Sequence, residues 1–551
     1  MSESLKQVID CISNRKSFIL EAGAGSGKTW ALIETLKYLL LENTEDLEIN
    51  NSHIACITYT NVAKNEISER IDNHPLVMVG TIHEFLWSVI KNFQTALKEI
   101  ILRENQNSRK KIDNLEAIIQ GVPIDYSMYG KNLRKGRIGH NDVIKFSSVL
   151  FEYYPKISII VASQYPFIFV DEYQDTEPKT VKLLIDNLLK PNFGKVTLGF
   201  FGDSMQKIYN QGVGNVEDEI LERITKIENF RCSIKVIELL NKIRPSLQQT
   251  ASGKNRQGNI KFIFSENERD ADKNYEKVIQ YLEKKRGWKS DNYKQLFLTH
   301  KGIASKLDYS ELLQLYNETK YPFGREKLYD KDEAFSDFFL NKVELLLLFY
   351  EQERYSEFIE MLGQESFELN YHSDKERIRD AIEGLKEKRA TGSVQDVYEY
   401  VLTKQLVVKT ERICSLEERI EKAYTDEKCQ KDKLFYTRLM DIRYKEFITL
   451  NEYLQEHTPF STKHGVKGAE YENVLVVIDD KAWNQYNFDD LFSGNRNNAK
   501  RYNRTENLLY VSCSRAKNEL VIFMSSSLSQ SSFTKLKYWF GNENVKSVNN
   551  I

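Results

Sequence analysis

Two stretches of this chain hold residues whose types and spacing could do chemistry on a phosphate. The first, EAGAGSGKTW at 21–30, follows a short apolar run, SFIL at 17–20. Glycines at 23, 25 and 27 let successive backbone N–H groups turn inward, Lys28 can reach outer phosphates, and the Thr29 hydroxyl is a ligand for magnesium. Ala24 and Ser26 complete the loop. Ala22 stands where the usual pattern has glycine, at the loop entrance rather than where backbone would wrap a phosphate. The second stretch, FIFVDEYQDT at 167–176, has four apolar residues and then two adjacent carboxylates. A buried parallel strand ending there delivers Asp171 and Glu172 to the carboxyl edge of a sheet, where open α/β folds bind ligands. Asp171 would hold the metal, and Glu172 would be general base for an attacking water. A nucleotide and Mg2+ are the expected cofactors.

Such groups need a strand before the loop and a helix after it. Phe18, Ile19 and Leu20 supply the strand, and ALIETLKYLLL at 31–41 supplies an amphipathic helix. The whole chain has 551 residues, 41% hydrophobic and 29% charged, which is more than one core needs, so several domains are expected. The strongest apolar run, VELLLLFY at 343–350, is too short to cross a membrane, and the N-terminus lacks a charged and then apolar leader. A cytoplasmic protein with no membrane partner is expected. Cys11, Cys56, Cys232, Cys414, Cys429 and Cys513 form no C-x-x-C pair, which argues for reduced structural thiols and against a zinc or iron–sulfur cluster. The net charge of -2 leaves no global footprint of a nucleic-acid binder, so any such surface must be local. Candidates are Arg109, Lys110 and Lys111, and the stretch YGKNLRKGR with Lys131, Arg134, Lys135 and Arg137.

The stretch VDEYQDT resembles motif II of the UvrD/Rep-like superfamily 1 DNA helicases, and AGAGSGKT resembles motif I of the same family, its initial alanine included. The remaining motifs follow in family order. ITYTNVAKNEISERI (57–71) resembles motif Ia, VGTIHEFLW (79–87) the GTIHxF element, and FGDSMQKIY (201–209) motif III. NFRCSIKVIELLNKI (229–243) resembles motif IV, STKHGVKGAEYENVLVV (461–477) motif V, and ENLLYVSCSRAKNELVIF (506–523) motif VI. The resemblance implies an α/β fold of two RecA-like parallel-sheet lobes. Lobe 1A would comprise 1–87 and 161–228 and lobe 2A 229–310 and 456–551, with mostly helical insertions 1B (88–160) and 2B (311–455).

It also implies residue roles, with ATP in the cleft between the lobes. Lys28, Asp171 and Glu172 fall on catalytic positions, and Gln206 resembles the glutamine that senses the γ-phosphate. Arg231 and Arg515 match two arginine fingers, whose guanidinium groups would meet charge on the transferring phosphoryl. Gln7, fifteen residues before Ala22, takes the place of the adenine-reading glutamine. Phe230 takes that of the aromatic stacked on adenine, and Glu470 that of the acid near the ribose. Strand contacts would come from Thr58, Thr60, Asn61 and His83 in lobe one and from Thr462, His464 and Lys467 in lobe two. For Tyr59 and Tyr209, stacking on a base and packing in the core are both open.

The implied activity is ATP-dependent DNA translocation or unwinding of 3′ to 5′ polarity. The chain departs from the family pattern in two places. Motif III continues IYNQGVG, so that Gln211 and Gly212 stand where the family has a base-stacking aromatic and its arginine, and Trp30 replaces an arginine that touches adenine. The altered motif III and the modest insertions favour a second class, a DNA-activated ATPase that senses DNA for a partner enzyme. In compactness the chain resembles the helicase-like subunit of the Gabija anti-phage defence system, which implies an OLD-family nuclease as partner. A DNA-binding scaffold with a dead ATP site is disfavoured because every catalytic position is filled. The charged segment 416–447 reads as one or two exposed helices, and no internal repeat is evident.

Overall fold

The computed structural model describes the chain except for residues 1, 59–60, 108–110, 127–130, 208–211, 268–269, 290–291, 299–306, 320–323, 330, 332, 365–371, 422–426, 456–459, 462–469 and 481–485. The first sheet contains β1 (Ser17–Ala22), β2 (Ile54–Thr58), β3 (Val77–Thr81), β4 (Phe167–Asp171), β5 (Thr197–Gly202) and β6 (Leu221–Lys226). Every pairing is parallel, in the order β3-β2-β4-β5-β1-β6. Near-continuous apolar runs are what a sheet covered on both faces requires. Phe18, Leu20, Cys56, Phe169 and Phe201 pack on one face with α1 (Glu3–Ser13) and α2 (Lys28–Glu42). Ile19, Ala55, Ile57, Ile168, Val170 and Phe200 pack on the other with α3 (Ile82–Ile90) and with the helices Gln94–Asn107 and His140–Tyr153. A Cβ on Gly199 of β5 would stand 2.6 Å from the Phe18 ring and 2.7 Å from the Phe169 ring, so only glycine lets both rings close over the strand.

The second sheet contains β7 (Asn259–Phe264), β8 (Tyr293–Phe297), β9 (Phe460–Ser461), β10 (Tyr471–Ile478), β11 (Ala516–Met524) and β12 (Val545–Ser547). It too is parallel, in the order β9-β8-β10-β11-β7-β12. Counted within its own sheet, each strand has the same neighbours as its counterpart in the first sheet, although the sequence shows no repeat. On one face lie α4 (Ile234–Ile243), α5 (Ala499–Cys513) and the helix Ser532–Phe540. On the other, Leu475, Val477, Val521 and Phe523 share one core with Phe335, Phe338, Phe339 and Phe447 of the helical region between Ser310 and Leu454. Among the described residues that region therefore has no separate core of its own. The expectation of exposed helices over 416–447 is corrected here. Glu411–Glu421 and Glu427–Asp441 bury Ile413, Leu416, Phe435 and Leu439, an apolar stripe at helical spacing hidden among the charges.

All six cysteines are free thiols, and all but Cys414 are buried. Among the described residues no helix is long and apolar enough to cross a membrane.

Candidate active site

Strand β1 delivers the glycine loop and α2 receives it. Gly25 and Gly27 take φ of 72° and 77°, left-handed backbone that a side chain would strain. A Cβ on Gly23 would strike the Gln249 amide at 2.3 Å, and one on Gly25 would stand 2.8 Å from Arg231 Cβ. Ala22, Ala24 and Ser26 are fully buried, and the Ser26 hydroxyl meets no hydrogen-bond partner among the described residues. The first-turn N–H groups of an α-helix have no partner within the helix. A bare-backbone cradle at a helix start with an orphaned hydroxyl fits a phosphate, which brings acceptor oxygens.

The carboxylates at the end of β4 face this loop. Lys28, the first residue of α2, donates to Glu172 Oε2 at 3.1 Å, and the Gln174 amide donates to the same oxygen at 2.5 Å. Asp171 is 3% exposed, and its Oδ1 accepts the Glu172 N–H at 3.0 Å. Glu172 takes φ 50° and ψ 42°, a left-handed conformation that costs a residue with a Cβ about 1–2 kcal/mol. Thr29 is half-buried at the head of α2. Its hydroxyl and Asp171 are the hard oxygen donors that would hold magnesium. At the end of β5, Gln206 is buried and donates to Asp203 Oδ2 at 2.9 Å.

The second half of the chain closes over the loop from the other side. The Asn229 amide donates to the Ala24 carbonyl at 2.9 Å, the Phe230 N–H donates to the Gly25 carbonyl at 2.9 Å, and the Ala24 N–H donates to Tyr510 Oη at 3.1 Å. Arg231 Nε donates to Glu470 Oε2 at 2.6 Å, and Lys517 approaches Glu470 Oε1 at 3.0 Å. The acid expected near the ribose and the first expected finger thus hold each other. Arg515 is 1% exposed, and its Nε donates to the Val511 carbonyl at 3.2 Å. Burial and the nearby Arg231 cation push its pKa down to about 10, while the charge of Glu172 opposes them. Lys28, Asp171, Glu172, Gln206, Arg231 and Arg515 are therefore brought together. Phe230 and Trp30 are half exposed beside Gly27, each with an atom within 4.0 Å of the point where its Cβ would lie. Gln7 lies on α1 and faces solvent.

Of the expected strand contacts, Tyr59, Thr60, Tyr209, Thr462, His464 and Lys467 lie outside the described residues, as do Gln211 and the Asn61 side chain. Thr58 ends β2 and is 2% exposed, so its hydroxyl offers almost no surface. His83, on α3, stacks on His140 with ring centroids 3.3 Å apart. Burial and the neighbouring His140 push its pKa down to about 4, which leaves the ring uncharged at neutral pH. Arg109 and Lys110 are outside the described residues, Lys131 pairs with Asp142 at 2.8 Å, and Arg134, Lys135 and Arg137 are exposed around the turn Leu133–Lys135.

Three residues at this junction escaped the sequence reading. Arg244 donates to Asp203 Oδ1 at 2.7 Å and to Glu21 Oε1 at 2.5 Å, and Tyr510 caps the loop as described. Glu21 also accepts from the Tyr173 hydroxyl at 2.5 Å and the Ser204 N–H at 3.0 Å. The one signal available was Glu21 itself, a charge at the end of an otherwise apolar strand.

Residues 1–132 and 102–217 match the UvrD/REP helicase N-terminal domain. The chain is 26% identical to the Gabija protein GajB of Bacillus cereus, with 95% of each chain covered. It is 25% identical to the ATP-dependent DNA helicase PcrA of Staphylococcus aureus over 41% of this chain and 37% of that one. With PcrA of Staphylococcus epidermidis the identity is 23%, over 57% of this chain and 50% of the relative. These matches bear out the resemblance carried by the motifs: the chain is similar to UvrD/Rep-type helicases, and its two parallel sheets make an α/β fold of two RecA-like lobes.

Proposed function

We propose that this chain is an ATP-dependent DNA translocase or helicase of 3′ to 5′ polarity, hydrolysing ATP between its two lobes in the cytoplasm. The observation that carries the proposal is the convergence of Lys28 and Glu172 from one sheet with the buried Arg515 from the other. The lobe bounds 1–87 with 161–228 and 229–310 with 456–551, and the insertions 88–160 and 311–455, belong to the same proposal. Lys28 and the loop N–H groups bind phosphate oxygens, and Trp30 and Phe230 offer two aromatic faces to the base. Thr29 and Asp171 hold magnesium, which when bound neutralises charge on the phosphates. Glu172 accepts a proton from the attacking water, at the oxygen that Lys28 and Gln174 now engage. Arg231 and Arg515 meet the negative charge that develops on the transferring group.

One observation favours a second reading, a DNA-activated ATPase that senses DNA for a partner nuclease. A Cβ on Gly212 would meet the Gln174 carbonyl at 2.4 Å and Asp175 Cα at 2.8 Å. The Val213 and Gly214 N–H groups donate to the Thr176 and Gln174 carbonyls at 2.8 and 3.0 Å. The chain after motif III is thus drawn onto the turn after β4, and no side chain fits at 212. A stacked base is worth roughly 1–3 kcal/mol, so a strand held without that aromatic and its arginine is gripped less firmly. The likeness to GajB along nearly the whole chain supports the same reading.

Both readings predict ATP hydrolysis stimulated by single-stranded DNA and lost steeply on adding salt; hydrolysis indifferent to DNA would sink both. Stopped-flow unwinding of tailed duplexes then separates them. Separation of hundreds of base pairs by the lone chain from a 3′ tail selects the helicase, stimulation without separation selects the sensing subunit, and unwinding only from a 5′ tail overturns the polarity.

A further inference from the structure

Beneath the glycine loop, where the lobes meet, lies a buried cluster that belongs to none of the phosphate, metal or base contacts above. Arg244, at the end of α4, is 4% exposed and reaches from the second lobe to Asp203 and Glu21 of the first. Its guanidinium carbon lies 5.7 Å from the ring centre of Tyr510, whose hydroxyl holds the loop at Ala24.

Two lines of hydrogen bonds run from this arginine into the site. Asp203 accepts from Arg244 on Oδ1 and from the Gln206 amide on Oδ2. The Asp203 N–H donates to Gln174 Oε1 at 3.1 Å, and Gln174 Nε2 donates to Glu172. Asp203, fully buried, is the branch point. Buried ion pairs are a poor source of stability, because desolvating the charges offsets their attraction. Here two carboxylates share one guanidinium. What the planar fork does supply is direction, since it orients both acids at once, which a lysine cannot do.

We infer that Arg244 is a positioning residue that couples the seating of the second lobe, through Asp203, to the alignment of Gln206 and Glu172. The inference rests on the nucleotide reading proposed above. Arg244→Met keeps the bulk and loses both bonds, while Arg244→Lys keeps the charge and loses the fork.

The test is ATP hydrolysis by the full chain with saturating single-stranded oligonucleotide, with KM, kcat and melting temperature read for each variant. Arg244→Met should lower kcat by about ten- to thirtyfold, within the scale set by small misplacements of catalytic groups, and leave the KM for ATP within about threefold. Arg244→Lys should fall between Arg244→Met and wild type. On an Asp203→Asn background, Arg244→Lys should cost less than about a further twofold, because residues that act as one unit are not additive. A lowered melting temperature with unchanged kcat, or effects that multiply in the double variant, overturns the inference. If Arg244→Met does not fold, the Arg244→Lys measurements decide alone. Wild-type turnover that Lys28→Ala leaves intact sinks the nucleotide reading itself. Turnover abolished by Lys28→Ala but indifferent to Arg244→Lys sinks only the role of Arg244.

Discussion

The two sheets share a strand order, yet their first strands end differently. β1 runs into glycines with left-handed backbone and then directly into α2, so its carboxyl end is an open cradle of N–H groups. β7, its counterpart, ends at Phe264 and passes to Ser265, whose hydroxyl is bonded to the Asn267 carbonyl and to the Asn274 side chain. The fourth strands differ as well. β4 ends in Asp171, followed by Glu172 paired with Lys28 of the cradle, whereas after β10 Asp480 turns inward and accepts the Phe488 and Asp489 N–H groups at 2.7 and 2.8 Å. Among the described residues, the same topology thus sets a glycine loop against two carboxylates in one lobe and carries inwardly bonded side chains after the matching strands of the other. Among the described residues the second lobe contributes side chains to the first lobe's cradle and shows no such cradle of its own.

That asymmetry is sharpened most by removing what the second lobe lends. Arg515→Ala should cut turnover by about a thousandfold while ATP affinity stays within about threefold, because a finger acts on developing charge. Single-turnover kinetics with a binding isotherm checks this, and a change in affinity alone would remove Arg515 from the cleft. Next comes the first lobe's own edge. Glu172→Gln should bind ATP and turn over at least about a hundred times slower, and near wild-type turnover would rule Glu172 out as base. A smaller effect is expected where the lobes share a contact. Trp30→Ala should weaken ATP binding about tenfold but leave competition by inorganic tripolyphosphate unchanged, since only the base loses a stacking face. Equal weakening for both ligands would instead show a disturbed loop.

The smallest effect concerns the helical region packed on the second sheet. Glu446 is buried, accepts the Leu312 N–H at 2.8 Å and lies near Glu311 and Asp308; burial first, and then those charges, push its pKa up to about 7. A raised folded pKa means stability that is present below the ordinary carboxyl pKa and lost as pH rises through about 7. Glu446→Gln should therefore raise the melting temperature by about 1–3 °C at pH 8 and leave it unchanged at pH 4.5, as calorimetry at the two pH values can check.

The proposed nucleotide edge was legible because its chemistry is local. Glycine spacing, Lys28 and the paired acids sit within a few residues of one another, and each needs only its own strand or helix end to be placed. Arg244, Glu21 and Tyr510 were not legible in this way, because their roles exist only once distant segments meet. Arg244 reads as an ordinary helix-end cation until Asp203 stands beside it. The helices over 416–447 misled for the opposite reason, since abundant surface charge masked Leu416, Phe435 and Leu439. His83 stood in a motif that implies a strand contact, and its stacking on His140 depends on an insertion whose course the sequence leaves open.

The strand order also sets a timetable for synthesis. The first sheet needs nothing beyond β6, so its strands can pair while the rest of the chain is still being made, and the loop's partners Asn229, Phe230 and Tyr510 arrive afterwards. The second sheet cannot, because β7 and β8 must wait for β10 and β11 to be translated before they gain their central neighbours. At common elongation rates that delay is roughly ten to fifty seconds, during which the apolar strands Asn259–Phe264 and Tyr293–Phe297 lack those partners. A ribosome-bound chain halted after β6 should accordingly present a paired first sheet before Tyr510 and Arg515 exist to close over its glycine loop.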